Sequence, residues 1–156
     1  MKKLIILIVI LFSYSGLYAQ GKNPFEKVME MKGVDVVYIS KAMLQMMPDL
    51  DLDSSPLDIS DMVGKLNSII IINSENTQAM ASVKKEANNL TKTGGYEQAM
   101  YIKDEDSRTV FYTKIDKNSK DNEILMVTEE EDEISVIWLS GEISLEDVRK
   151  MTEDMQ

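Results

Sequence analysis

The chain has 156 residues, 27 acidic side chains against 17 basic ones, a formal charge of −10, and neither cysteine nor histidine. That charge repels phosphate backbones and anionic lipid, which argues against nucleic acid and against simple electrostatic membrane attachment as partners. The missing residue types remove disulfide staples, Ser–His and Cys–His catalysis and the commonest transition-metal ligand.

Lys2 and Lys3 precede an unbroken apolar run of nine residues, Leu4–Phe12, and a less apolar stretch ends at the small residue Ala19. This order predicts a cleavable secretory signal peptide over residues 1–19, and so an exported protein, periplasmic or secreted. A spanning helix needs ~20 apolar residues. No cysteine follows the run to carry lipid, so no stable membrane anchor is expected after cleavage. Residues 20–156 then form a single domain, and loss of Lys2 and Lys3 takes the formal charge from −10 to −12.

Asn23-Pro24-Phe25-Glu26 reads as a helix start, with Phe25, Val28 and Met29 on one face and Gly33 as a stop. Val34–Ile39 is rich in β-branched residues and predicts a strand. Ser40 then caps a short helix through Met47, with Ala42, Met43, Met46 and Met47 on its apolar side and Pro48 ending it. Ser55-Pro56-Leu57-Asp58 is a second helix start, followed by Ile59, Met62, Val63 and Leu66 at helical spacing. Ile69–Ile72, four consecutive isoleucines, suits a strand covered on both faces.

The longest helix is predicted over residues 75–90, with Ala79, Met80, Val83, Ala87 and Leu90 as its stripe and Gly94-Gly95 closing it. Four strand-like runs follow, Tyr96–Lys103, Thr109–Ile115, Glu123–Thr128 and Ile134–Leu139. Their short polar connections imply an antiparallel meander. Ser144-Leu-Glu-Asp147 caps a last helix with Leu145, Val148, Met151 and Met155 inward. The expected fold is α+β: an antiparallel β-meander with helices packed on one face, a two-layer single domain.

Few residues suggest chemistry. Asp49, Asp51 and Asp53 have the alternating carboxylates of a calcium loop, but Ser54 and Ser60 stand where glycine and a bidentate glutamate belong. Glu129–Glu133 is a run of five acids between strands and reads as a solvated hairpin tip. No phosphate-cradling glycine loop or nucleophile elbow is present. Eleven methionines beyond the first read mainly as core filling. The cluster Met43, Met46 and Met47 is the first candidate for a partner surface, and Tyr101, Tyr112 and Trp138 the second, should one sheet face stay open.

Three segments together resemble the domain-of-unknown-function 4252 family, small exported proteins of Bacteroidota: Val36–Leu44 (VVYISKAML), Tyr96-Glu97 and Leu139–Val148 (LSGEISLEDV). Within them Ser40 and Ser144 read equally well as helix caps and Gly141 as a turn residue. The resemblance implies one exported domain across nearly the whole mature chain and no particular activity. The expectation is a non-catalytic envelope protein, not an enzyme, that binds or assists an envelope protein and uses no cofactor. The alternatives are a carboxylate-based, metal-assisted or acid hydrolase and a calcium-responsive envelope protein.

Overall fold

Four consecutive isoleucines can all be buried only if both faces of their strand are covered. In the computed structural model, which describes residues 23–46 and 59–153, they lie in β2 (Leu66–Ser74). Ile69, Ile70 and Ile72 are at most 1% exposed and Ile71 is half-buried. The expected signal peptide, the Asp49, Asp51 and Asp53 cluster, Met47, the Ser55 helix start and Met155 all lie outside the described residues.

The other strands are β1 (Asp35–Ser40), β3 (Glu97–Lys103), β4 (Arg108–Lys114), β5 (Asn122–Glu129) and β6 (Ile134–Gly141). They join β2 in one six-stranded sheet of order β1-β2-β6-β5-β4-β3. Every neighbouring pair is antiparallel, and β3 to β6 form the meander that the short turns imply. The helices are α1 (Glu26–Met29), α2 (Lys41–Met46), α3 (Thr77–Thr93) and α4 (Leu145–Glu153), with a 3-10 helix at Ser60–Lys65. One α+β domain results.

The helices do not share one face, as the two-layer expectation had them. Alternation along β2 and β6 separates two apolar clusters. Ile69, Ile137 and Leu139 meet Leu44 of α2, Met62 and Val63 of the 3-10 helix and Met151 of α4. Ile70, Ile72, Val136 and Trp138 meet Phe25, Val28 of α1 and Val83 and Ala87 of α3. The sheet is the middle of three layers because its interior strands are apolar at consecutive positions, and both sets of side chains must leave water.

Local signals explain where elements begin and end. Asn76 caps α3, its Oδ1 accepting from the backbone N–H of Gln78 at 3.1 Å and Ala79 at 3.0 Å. The helix stripe of Ala79, Val83 and Ala87 is buried as its spacing requires. The segment after Ile59 winds as a 3-10 rather than an α-helix, yet it still buries Ile59, Met62, Val63 and Leu66. Gly141 is not a free turn residue. It ends β6 against the β2 bulge, where a Cβ would lie 2.3 Å from the carbonyl oxygen of Lys65.

Ser144 and Asp147 form a reciprocal cap on α4. The Ser144 N–H and hydroxyl donate to Asp147 Oδ2 at 2.8 and 2.6 Å, and the Asp147 N–H donates to Ser144 Oγ at 3.2 Å. Lys65 adds an ion pair to Oδ1 at 2.6 Å, tying α4 to the start of β2. Leu145 departs from its expected inward place. It is 58% exposed, while Val148 and Met151 are the residues of α4 that reach the core.

Replacing Ser144 with Ala should cost about 1 kcal/mol in urea denaturation, the usual worth of such a cap. Burial pushes the Asp147 carboxyl up, but Lys65 and the two Ser144 donors outweigh it and hold it at about 2, against 3.8 ordinarily. The folded value lies below the unfolded one. The pair's contribution is therefore complete above pH 3.8 and is lost as pH falls through 2. An Asp147→Asn variant should show a shallower loss of stability over that interval.

Candidate functional site

On the face that carries α1 and α3, residues directly opposite one another across the strands form rows. Tyr38, Ile70, Trp138, Leu125 and Tyr112 make one row, largely roofed by the helices. The next row toward the end of β6 is entirely polar: Ser40, Ser68, Ser140, Glu123 and Lys114. A trough of about 470 Å3 opens there, within the roughly 300–1,000 Å3 range of small-molecule sites.

Hydrogen bonds order its walls. The Ser68 and Ser140 hydroxyls bond each other at 2.8 Å. The Lys41 ammonium donates to Asn67 Oδ1 at 3.0 Å, and Asn67 Nδ2 donates to Asp121 Oδ1 at 3.0 Å. Ser40 Oγ accepts from the Met43 N–H at 3.4 Å, which caps α2 as its sequence position suggests. A second hollow of about 630 Å3 lies beyond Asp121 and Glu123, reaching past Lys114 to Gly95 and Leu145.

Glu123 stands between the two hollows and is the best-bonded side chain in the region. Tyr96, delivered from α3 by Gly95 at φ +77°, donates its hydroxyl to Glu123 Oε2. The Trp138 Nε1–H is shared between Tyr96 Oη at 3.0 Å and Glu123 Oε2 at 3.1 Å. Lys114 donates to Oε1 at 2.9 Å and lies 5.8 Å from the centre of the Tyr96 ring. Burial, then the hydrogen bond to Glu123 and its charge, push the Tyr96 hydroxyl far up, opposed only by the Trp138 donor. Tyr96 is thus held as a neutral phenol. Among the described residues no buried side-chain nitrogen or oxygen lacks a partner.

The opposite end of the same face carries another charged group. Glu129 accepts from both Arg108 and Lys84. Burial raises its pKa, yet the two cations hold it below the ordinary glutamate value. Glu129 therefore belongs to strand β5, while Glu130, Glu131 and Asp132 form the solvated tip expected of the acidic run.

The structure distributes the sequence candidates unevenly. Met43 and Met46 are 45% and 71% exposed, because six-residue α2 has room to bury only Leu44. They are surface residues and not part of an apolar stripe. Tyr101 is 49% exposed near the far edge, and Tyr112 is half-buried. Trp138 is 6% exposed and is a packing residue, since α1 and α3 cover its face and the condition of an open sheet face is not met there. Among the described residues no three histidine, cysteine, aspartate or glutamate side chains are grouped to hold a metal ion. Nor is any helix among them long and apolar enough to cross a membrane.

Sequence reasoning passed over Lys41, Asn67, Ser68, Asp121, Glu123 and Ser140. A signal existed in part: Asn67-Ser68 and Ser140 are the polar residues that punctuate the ends of two apolar strands. Only the register shows that they meet.

Glu123→Gln should keep the shape while turning an N–H toward a donor, Lys114 on one side or Tyr96 and Trp138 on the other. The expected loss is about 1.5–3 kcal/mol in urea denaturation, the scale of a charged hydrogen bond. Folded Tyr96 keeps its proton above the unfolded value of 10.0, so its contribution is full below pH 10 and declines as pH rises beyond it. Tyr96→Phe should reduce that alkaline slope.

Comparison with known proteins yields no curated protein and no solved structure that matches. A family match does run over residues 25–151, from Phe25 beneath α3 to Met151 of α4, and so takes in both apolar layers and all of the trough between β1 and β5 except Asn23. The chain belongs to the family described as a domain of unknown function, DUF4252.

Proposed function

We propose that the protein is a non-catalytic, exported binding module of the cell envelope that receives an extended segment of a partner protein along β1. The observation that carries this reading is the contrast between the two sheet edges. β1 pairs with β2 without a register break from Asp35↔Asn73 to Ser40↔Ser68, and among the described residues its other side has no neighbouring strand and presents a regular row of backbone donors and acceptors. The opposite edge, β3, is broken by a bulge between Gln98 and Met100 and bounded by Glu97 and Lys103. Bulges and charges are the devices that discourage pairing, and β1 lacks the bulge.

Side chains beside β1 fit the same use. Val37 is 50% exposed, and Met43 and Met46 project from α2, which packs on the sheet face that Val37 shares. Backbone pairing supplies affinity in this mode, and the adaptable methionines and the valine supply side-chain contact. The binding reading is further supported by the state of the trough groups. The paired serine hydroxyls bond each other rather than a base, and Glu123 is already committed to three donors. Export rests on the basic, apolar and small-residue order of residues 1–19.

The test places a photo-crosslinking residue at position 46 of the full chain in cells that make it. Discrete protein adducts are expected, lost on Val37→Lys, and absent when the crosslinker sits at position 101 instead. No discrete adduct, or one indifferent to Val37→Lys, would refute the edge. Mass spectrometry of the same material should find Gln20 at the N-terminus, and an intact Met1 in the cytoplasmic fraction would refute export.

A further inference from the structure

We infer that the polar trough on the α1/α3 face is a saccharide site for a neutral sugar ring, on the sheet face opposite to Val37 and α2. Two adjacent rows line it. One is apolar and aromatic: Tyr38, Ile70 and Trp138. The other is hydroxyl-bearing: Ser40, Ser68 and Ser140. A pyranose has the matching division, with a C–H face that stacks on an aromatic ring and a rim of hydroxyls that both donate and accept. Tyr38 is 54% exposed, so its ring is available to a ligand, whereas Trp138 is 6% exposed and backs the trough.

The hydroxyl row has the right capacity. A serine pair that uses one hydrogen between its two oxygens keeps one O–H and several lone pairs for a ligand. The Ser68 and Ser140 oxygens lie 2.8 Å apart, and Ser40 follows on the next strand. Vicinal hydroxyl oxygens on a pyranose are similarly close. Lys41 keeps two N–H groups beyond its bond to Asn67, and Asp121 keeps an oxygen beyond its own.

Charge decides between ligand classes. Lys41 and Asp121 are opposite charges linked through Asn67, and Glu123 is neutralised by Lys114. The trough therefore offers no surplus charge to an anion or a cation. An apolar peptide side chain would call for a deep apolar pocket, and the hydroxyl row supplies none. Both considerations select a neutral polyhydroxyl ligand.

The experiment titrates the full-length folded protein with neutral tetrasaccharides (malto-, cello-, xylo- and chito-series) and, separately, with an alanine tetrapeptide, following amide NMR shifts. At about 10 mM a site with a Kd near 1 mM is mostly filled. At least one saccharide should shift the amides of Ser40, Ser68 and Ser140 in a saturable way. Tyr38→Ala, a change at an exposed position, should weaken that binding about tenfold. Val37→Lys, on the opposite face, should leave it unchanged, so the edge and the trough stand or fall separately. No shift with any saccharide, shifts elsewhere, indifference to Tyr38→Ala, or a response to the peptide alone would each overturn the assignment.

Discussion

β2, β5 and β6 bury side chains at consecutive positions, and a strand of that kind needs cover on both faces. Apolar surface gains about 25 cal/mol per Å2 on leaving water, so leaving either side of these strands open would forfeit much of the core. The helices divide accordingly, α1 and α3 to one face and α2, α4 and the 3-10 helix to the other. The chain order enforces that division. β1 and β2 are joined through α2 and the 3-10 helix on one face, while α3 carries the chain across the other face from β2 to the far edge at β3.

Cover on both faces is complete along the middle of the strands and stops at their ends. The ends are where the polar groups collect. At one end Glu123, Tyr96, Trp138 and Lys114 form a closed hydrogen-bonding set beside the serine row. At the other, Glu129 is held by Arg108 and Lys84. Each carboxylate is drawn out of water only as far as cations and donors can replace it, which is the condition for burying charge at all. Trp138 joins the two regimes, its ring in the apolar layer and its N–H in the polar set. The trough is thus a consequence of where the helical roof ends.

Much of the fold could be read from local pattern. The four meander strands, the α3 stripe, the Ser144–Asp147 cap and the doubly covered isoleucines all follow from periodicity and capping chemistry acting within a few residues. The departures have physical causes too. One helical layer would cover one face only, whereas Ile137 and Leu139 of β6 point to one face and Ile134, Val136 and Trp138 to the other. Met43 and Met46 sit at helical spacing, but a helix of six residues presents one turn to the core, and Leu44 occupies it. Leu145 looked inward by its spacing, yet it is exposed on the first turn of α4, and contact with the core begins at Val148.

By itself the sequence determined the α+β composition, the antiparallel meander, the caps and the kinds of chemistry that a chain without histidine or cysteine forgoes. These depend on neighbours in the chain, where steric and hydrogen-bonding rules act at short range. Only the tertiary structure decided that β2 lies beside β6, and hence that Ser68 meets Ser140 across 72 positions of sequence and Lys65 meets Asp147 across 82. The same pairing leaves β1 at the edge of the sheet among the described residues and draws Asn67, Asp121 and Glu123 around one trough. Strand order and register are set by the joint burial of two faces, a property of the whole sheet that no short segment encodes.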